Sequence, residues 1–388
     1  MWGTQCRSRR RAPHGPRPGN RLARQCHALP SCHPAASEPR RHPTLETPLF
    51  KDLPLWLNAA IFIASAAVVW RVGTQLARLA DAIAARTGLG HALLGVLLLG
   101  GVTSLPELAS SVSGTLAGAP RLAVNGVLGS AAFNVVILAV ADAVHGRKAL
   151  TSTPGSPGVM LQGALSMMML SLAIAPVTTG DVLVWGIGAW SWVLLGAFVA
   201  AMVVLSKAQS LDSWRPRLQG AEPPATDSSS GPPLRSLLCR TAAAAVLIIG
   251  TGFLLARSAD ALAAQTGLGQ SFFGAVLLGA STSLPEASTV LAAMRLRRYE
   301  MALADVLGTN LFNVVILVAV DAVHDGGPVL VEAGGFAAFG ALLAVVLTGV
   351  FLVGLIERRD RTLLRMGYDS VAVLGLYAAG VAVLYQLR

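Results

Sequence analysis

Laid on itself with an offset of 179 residues, the chain matches at 36 of 73 positions between 73–145 and 252–324, without a gap. Shared apolar composition inflates matches of Leu, Val and Ala. It cannot produce Thr103-Ser104-Leu105-Pro106-Glu107 facing Thr282-Ser283-Leu284-Pro285-Glu286, nor Phe133–Leu138 facing Phe312–Leu317. The chain is an internal duplication, so its fold must be built from two like halves.

Only 13% of the residues are charged and 54% are apolar, whereas a soluble domain carries about 25% charged residues. That excludes a disordered chain, a coiled coil and an ordinary soluble enzyme. Apolar runs long enough to cross about 30 Å of hydrocarbon fall near 53–70, 90–115, 122–143, 158–176 and 181–205. Five more fall near 239–257, 267–293, 301–323, 333–356 and 370–387. The expectation is an all-α polytopic membrane protein of ten transmembrane helices, one five-helix repeat over 53–205 and another over 237–388. An odd number of spans per half inserts the halves in opposite orientation. Such inverted repeats are typical of secondary transporters, which bind their substrate at the repeat interface near the bilayer midplane.

The net charge of +10 says little about function, because residues 1–50 hold nine Arg against two acids and contribute +7 of it. This segment, with eight Pro and no apolar period, marks 1–52 as a disordered Arg/Pro-rich tail. The loops after spans 1, 3, 5, 7 and 9 hold 17 basic residues; the other loops and the C-terminus hold three. The positive-inside bias therefore places the polar linker 206–236 in the cytoplasm and both termini outside, in a multi-pass protein of the cell (inner) membrane. The Arg-rich tail sits on the wrong side of that scheme, as an upstream extension absent from the working protein would.

Ionisable groups at membrane depth are costly and mark functional sites. Glu107 and Glu286 are each mid-span and each part of the repeated motif. Pro106 and Pro285 cannot donate to the helix ladder, which deprives the carbonyls of Val102 and Ser281 of partners. Thr103 and Ser104 share a helical face with Glu107, as Thr282 and Ser283 do with Glu286. The following span of each half adds Ser130 with Asn134, and Thr309 with Asn313, four apart. An all-oxygen set with two negative charges suits a hard cation such as Ca²⁺.

The blocks Gly101–Asn134 and Ala280–Asn313 resemble the two α-repeats of the cation/Ca²⁺ exchanger superfamily, the sodium/calcium exchanger membrane region. The resemblance implies ten helices in inverted halves, external termini and alternating access. It implies a cation site made of Thr103, Ser104, Glu107, Ser130 and Asn134 with Thr282, Ser283, Glu286, Thr309 and Asn313, completed by carbonyls near Gly100 and Gly279. The family's GNxxGSNxFN reads Asn125-Gly126-Val127-Leu128-Gly129-Ser130-Ala131-Ala132-Phe133-Asn134 here, with one Asn lost, and Ala304-Asp305 replaces the leading dipeptide in the second half. Two certain charges neutralise one Ca²⁺ or two monovalent ions.

Asp305 shares a face with Thr309 and Asn313 but stands about 12 Å of helix from the latter, which suits an access path better than the same ion. Asp142 and His145 recur as Asp321 and His324 at span ends, where they would form interfacial pairs or collect cations on an access path. The cysteines (Cys6, Cys26, Cys32, Cys239) lack zinc-type spacing. No midspan nucleophile–base pair supports an enzyme, and nothing supports nucleic-acid binding. The expected function is a secondary active antiporter exchanging Ca²⁺ for Na⁺ or H⁺. The alternatives are an antiporter of another cation on this scaffold and a transporter of a non-calcium solute. The partners are the lipid bilayer and the transported cations, with no cofactor and no obligate protein partner.

Overall fold

The computed structural model describes residues 50, 52–88, 91–145, 149–152, 156–208, 232–266, 281–358, 362–363 and 366–386. Nearly all of the expected tail 1–52, most of the linker 206–236, the first part of the expected span 267–293, Gly279, Cys6, Cys26, Cys32 and the His145 side chain lie outside the described residues.

The principal helices are α1 (Leu55–Thr87), α2 (Leu105–Leu116), α3 (Pro120–His145), α4 (Pro157–Thr179) and α5 (Ala189–Ala208). They continue with α6 (Leu234–Gln265), α7 (Leu284–Arg295), α8 (Tyr299–Ala322), α9 (Gly334–Glu357) and α10 (Tyr368–Gln386). Among the described residues, eight of these are long and apolar enough to cross a membrane. The number rises to nine if the segment Gly95–Thr103 and α2, bent by 41°, count as one span.

The boundaries differ from the hydropathy pattern in an instructive way. The first span, expected to end near 70, continues as helix to Thr87 and stops at Gly88, whose φ of 69° is the left-handed conformation that terminates helices. Nothing between Arg71 and Arg86 breaks a helix, and Arg and Ala are good helix formers. Hydropathy marks where lipid ends; a breaker marks where the helix ends. At about 1.5 Å per residue, the 33 residues of α1 outrun the hydrocarbon thickness. The fifth span, expected from 181, begins as a two-stranded hairpin, Leu183–Val184 with Ile187–Gly188, and turns helical only at Ala189. A matching hairpin, Thr362–Leu363 with Met366–Gly367, precedes α10. Its strands stand 179 positions after the first pair, so the repeat continues well past the stretch where residue identity is visible.

α3 and α8 are sheathed by the other helices; α8 alone buries Met301 to Leu311 without interruption. The peripheral helices turn Ile63, Val199, Val246 and Val353 outward. Such surfaces would be an association hazard in water and are what a hydrocarbon solvent requires. With lipid as solvent, helices associate through close packing of small residues. Gly73 of α1 faces Pro285 and Ser288 of α7, and its counterpart Gly252 of α6 faces Pro106 at the start of α2. Each long helix thus buttresses the proline of the other half's motif. A Cβ on Gly252 would stand 2.5 Å from the Pro106 ring, so Gly252→Val is expected to lower the thermal midpoint of the purified protein, by overpacking worth about 1–3 kcal/mol.

Candidate functional site

The site begins with a backbone that leaves the α-helical register. Residues Gly95–Gly100 form a π-helical stretch, Gly101–Thr103 a single α-turn, and the chain then breaks at Ser104 before α2. Pro106, near the start of α2, has no N–H to give the preceding turn. Interruptions of this kind are tolerated at membrane depth where protein surrounds them. Here α8 does so: a Cβ on Gly100 would lie 2.9 Å from the backbone nitrogen of Thr309 and 3.1 Å from the carbonyl of Asp305. Only glycine allows that approach, and it brings the first half's motif against the second half's polar face. Gly100→Ala is therefore expected to reduce cation flux at least about tenfold, because backbone atoms cannot move aside as a side-chain tip would. Uptake into proteoliposomes at matched protein content checks this.

Glu107, 6% exposed, and Glu286, 1% exposed, open α2 and α7. Neither these two nor the buried Asp305 has a Lys, Arg or His ion-pair partner among the described residues. Both carboxylate oxygens of Glu286 lack a hydrogen-bond donor there as well. The hydroxyls around them are arranged alike. Ser104 Oγ donates to the Gly100 carbonyl (2.6 Å), Ser130 Oγ to that of Val127 (2.8 Å) and Thr309 Oγ1 to that of Asp305 (3.0 Å). Thr103 Oγ1 leans on the Gly100 carbonyl as well, at 3.4 Å. A hydroxyl has one proton, and once a carbonyl one turn back accepts it the lone pairs remain as acceptors. The Gly100 carbonyl, expected as a ligand, is engaged by Ser104. Ser283 is buried and Thr282 half-buried beside Glu286.

The two asparagines differ. The amide nitrogen of Asn313 donates to the Thr309 carbonyl (3.2 Å) and to Glu107 Oε2 (3.3 Å), so it ties the second half to the first half's carboxylate. Asn134 Nδ2 donates to Oδ1 of Asn310 (3.0 Å), which the sequence reading passed over. The available signal was an amide in an otherwise apolar turn of α8, opposite the position where the first half has Ala131. Thr289, also passed over, donates to Asp305 Oδ2. Asp305 is fully buried against the Gly100 segment. No group of three or more His, Cys, Asp or Glu side chains among the described residues could hold one metal ion, so Asp305 stands apart from the Glu107–Glu286 pair.

Asp142 and Asp321 are placed differently from groups that line a water path. Asp142 accepts from the backbone nitrogens of Leu150 (2.6 Å) and Gly367 (2.7 Å). Asp321 accepts from those of Val329 (2.8 Å) and Gly188 (2.8 Å), and from Ser191 Oγ (2.6 Å). Every Asp142 contact recurs 179 residues later: each aspartate clamps the turn of its own half and the hairpin of the other. Both are buried, with each oxygen occupied. His324, expected to pair with Asp321, lies instead 3.4 Å from Glu332.

With this geometry in view, a family model described as sodium/calcium exchanger protein matches residues 57–207 and again 236–386. Inner membrane protein YrbG of Escherichia coli (strain K12) is 26% identical over 281 residues, which span 70% of this chain and 82% of that protein. Among solved structures, the sodium-calcium exchanger NCX_Mj soaked with 100 mM Na⁺ and 10 mM Sr²⁺ superposes with a TM-score of 0.64 at 17% identity, covering 85% of this chain and 99% of that one. The same exchanger soaked with zero Na⁺ and Ca²⁺ gives 0.61 at 17% identity over the same shares. At these identities the structural likeness speaks for the fold.

Proposed function

Because this chain belongs to the sodium/calcium exchanger protein family, a family of membrane cation exchangers, we propose that it is an antiporter that moves Ca²⁺ against Na⁺ or H⁺ by alternating access. The single observation that carries this reading is the pair Glu107 and Glu286. They are two buried carboxylates, one from each half, without a cationic side chain and surrounded by hydroxyl and amide oxygens. A buried charge left unpaired is strongly unfavourable, and a hard cation held by oxygen ligands supplies the missing charge.

In this reading Thr103, Ser104, Ser130 and Asn134 join Glu107, while Thr282, Ser283, Thr309 and Asn313 join Glu286, as the ligand shell. The two halves are inverted repeats of five crossing segments each. The linker is cytoplasmic, the termini lie outside, and the protein resides in the cell membrane. Exchange rather than leak follows from charge: reorienting two bare carboxylates through a low-dielectric core is too costly, so the carrier turns over only with cargo or counter-ion aboard. Asp305, one helical turn from Thr309 and bound to Thr289, borders the approach to the site. Asp142 and Asp321 brace the two halves against each other.

The test is ⁴⁵Ca²⁺ uptake into proteoliposomes under separately imposed sodium and proton gradients. Uptake driven by one gradient alone identifies the counter-ion. Absence of uptake under both would overturn calcium antiport.

A further inference from the structure

Asn310 is buried at the contact between α8 and α3, and its side chain makes two hydrogen bonds that run in one direction. Its Nδ2 donates to the Ala131 backbone carbonyl (3.1 Å), and its Oδ1 accepts from Asn134 Nδ2 (3.0 Å). The order of donors follows from the first partner. A backbone carbonyl can only accept, so the Asn310 nitrogen must face it, and its oxygen must then face Asn134. That oxygen can only accept, so Asn134 must present its own nitrogen. What is left is Asn134 Oδ1, buried and without a hydrogen-bond donor among the described residues.

We propose that Asn310 is a positioning residue that sets the amide polarity of Asn134 and thereby holds Asn134 Oδ1 ready as a cation ligand. The relay belongs to one half only. The residue 179 positions before Asn310 is Ala131, whose backbone carbonyl is the acceptor that anchors the chain. Asn313 has no such partner and turns its nitrogen, not its oxygen, to Glu107. The two asparagines, matched in sequence, are therefore unequal: Asn134 offers an oxygen to the cation, and Asn313 offers a proton to the carboxylate. The inference rests on the reading of this site as a cation site.

The experiment is a double-mutant cycle on the Ca²⁺ dependence of ⁴⁵Ca²⁺ uptake, with Asn134→Ala, Asn310→Ala and the double variant in proteoliposomes. Asn310→Ala should raise half-saturating Ca²⁺ about tenfold, the scale of one hydrogen-bonded charge contact, while the maximal rate stays within about threefold. In the Asn134→Ala background the same change should add nothing, because a residue that acts through Asn134 has nothing left to position. Asn310→Asp, which still accepts from Asn134 Nδ2, should keep half-saturation at or below the wild-type value. Should Asn310→Ala fail to fold, Asn310→Leu preserves the volume and carries the same expectation.

Additive effects of Asn134→Ala and Asn310→Ala, or an unchanged half-saturation in Asn310→Ala, would overturn the relay. Normal uptake in Glu107→Gln and Glu286→Gln would instead overturn the site itself. The two failures are thus separable in one preparation.

Discussion

Glu107→Gln and Glu286→Gln should each lower ⁴⁵Ca²⁺ uptake in proteoliposomes by at least about a hundredfold, equivalent to roughly 3 kcal/mol of lost cation binding. The substitution keeps size and shape, so the helix openings at α2 and α7 should survive. It replaces a charged oxygen pair with one neutral oxygen and one N–H₂ that repels a cation. Glu286 should be the more sensitive of the two, since neither of its oxygens is shared with a protein donor, whereas Glu107 accepts from Asn313. A second measurement separates ligand loss from misfolding. In cation-free buffer the thermal midpoint of both variants should hold or rise, because an uncompensated buried charge has been removed. Added Ca²⁺ should raise the wild-type midpoint by mass action and leave the variants unmoved. Wild-type flux in either variant would rule out the site.

The second large effect concerns the crossed aspartates. Hydrogen bonds to a charged acceptor contribute about 1.5–3 kcal/mol each. Asp142→Ala removes two of them, and Asp321→Ala removes three. Each should destabilise the purified protein by about 3–5 kcal/mol, Asp321→Ala more than Asp142→Ala, and the Asn variants should fall in between because one carbonyl acceptor remains. Those variants that survive should keep the wild-type half-saturating Ca²⁺. An altered Ca²⁺ dependence with an unchanged thermal midpoint would return these residues to a cation path.

The placement of Asp142 and Asp321 also shows where reading a sequence stops. Their recurrence 179 residues apart was visible, and an acidic group at a span end reads naturally as a collector of cations. What they bind was not visible. Gly367 lies 225 residues from Asp142 and Gly188 lies 133 residues from Asp321, and the donors are backbone amides that any residue type carries. The hairpins that present those amides are two residues per strand, too short for an alternating pattern to register. Asn310 escaped for a related reason: its role depends on a carbonyl 179 positions away.

The duplication, the apolar runs, the Pro-interrupted motif and the two midspan glutamates are properties of the chain read alone, because each rests on spacing within a few helical turns or on the solvent that an apolar run demands. They determined a membrane protein of two like halves with a carboxylate at the heart of each. The tertiary structure alone decided which oxygens remain unspent, that α1 extends to Thr87, that glycine at position 100 lets one half's broken helix touch the other half's backbone, and that Asn134 and Asn313 differ. Those outcomes depend on which groups from distant segments satisfy one another, and hydrogen bonding leaves no periodic trace in the sequence of either partner.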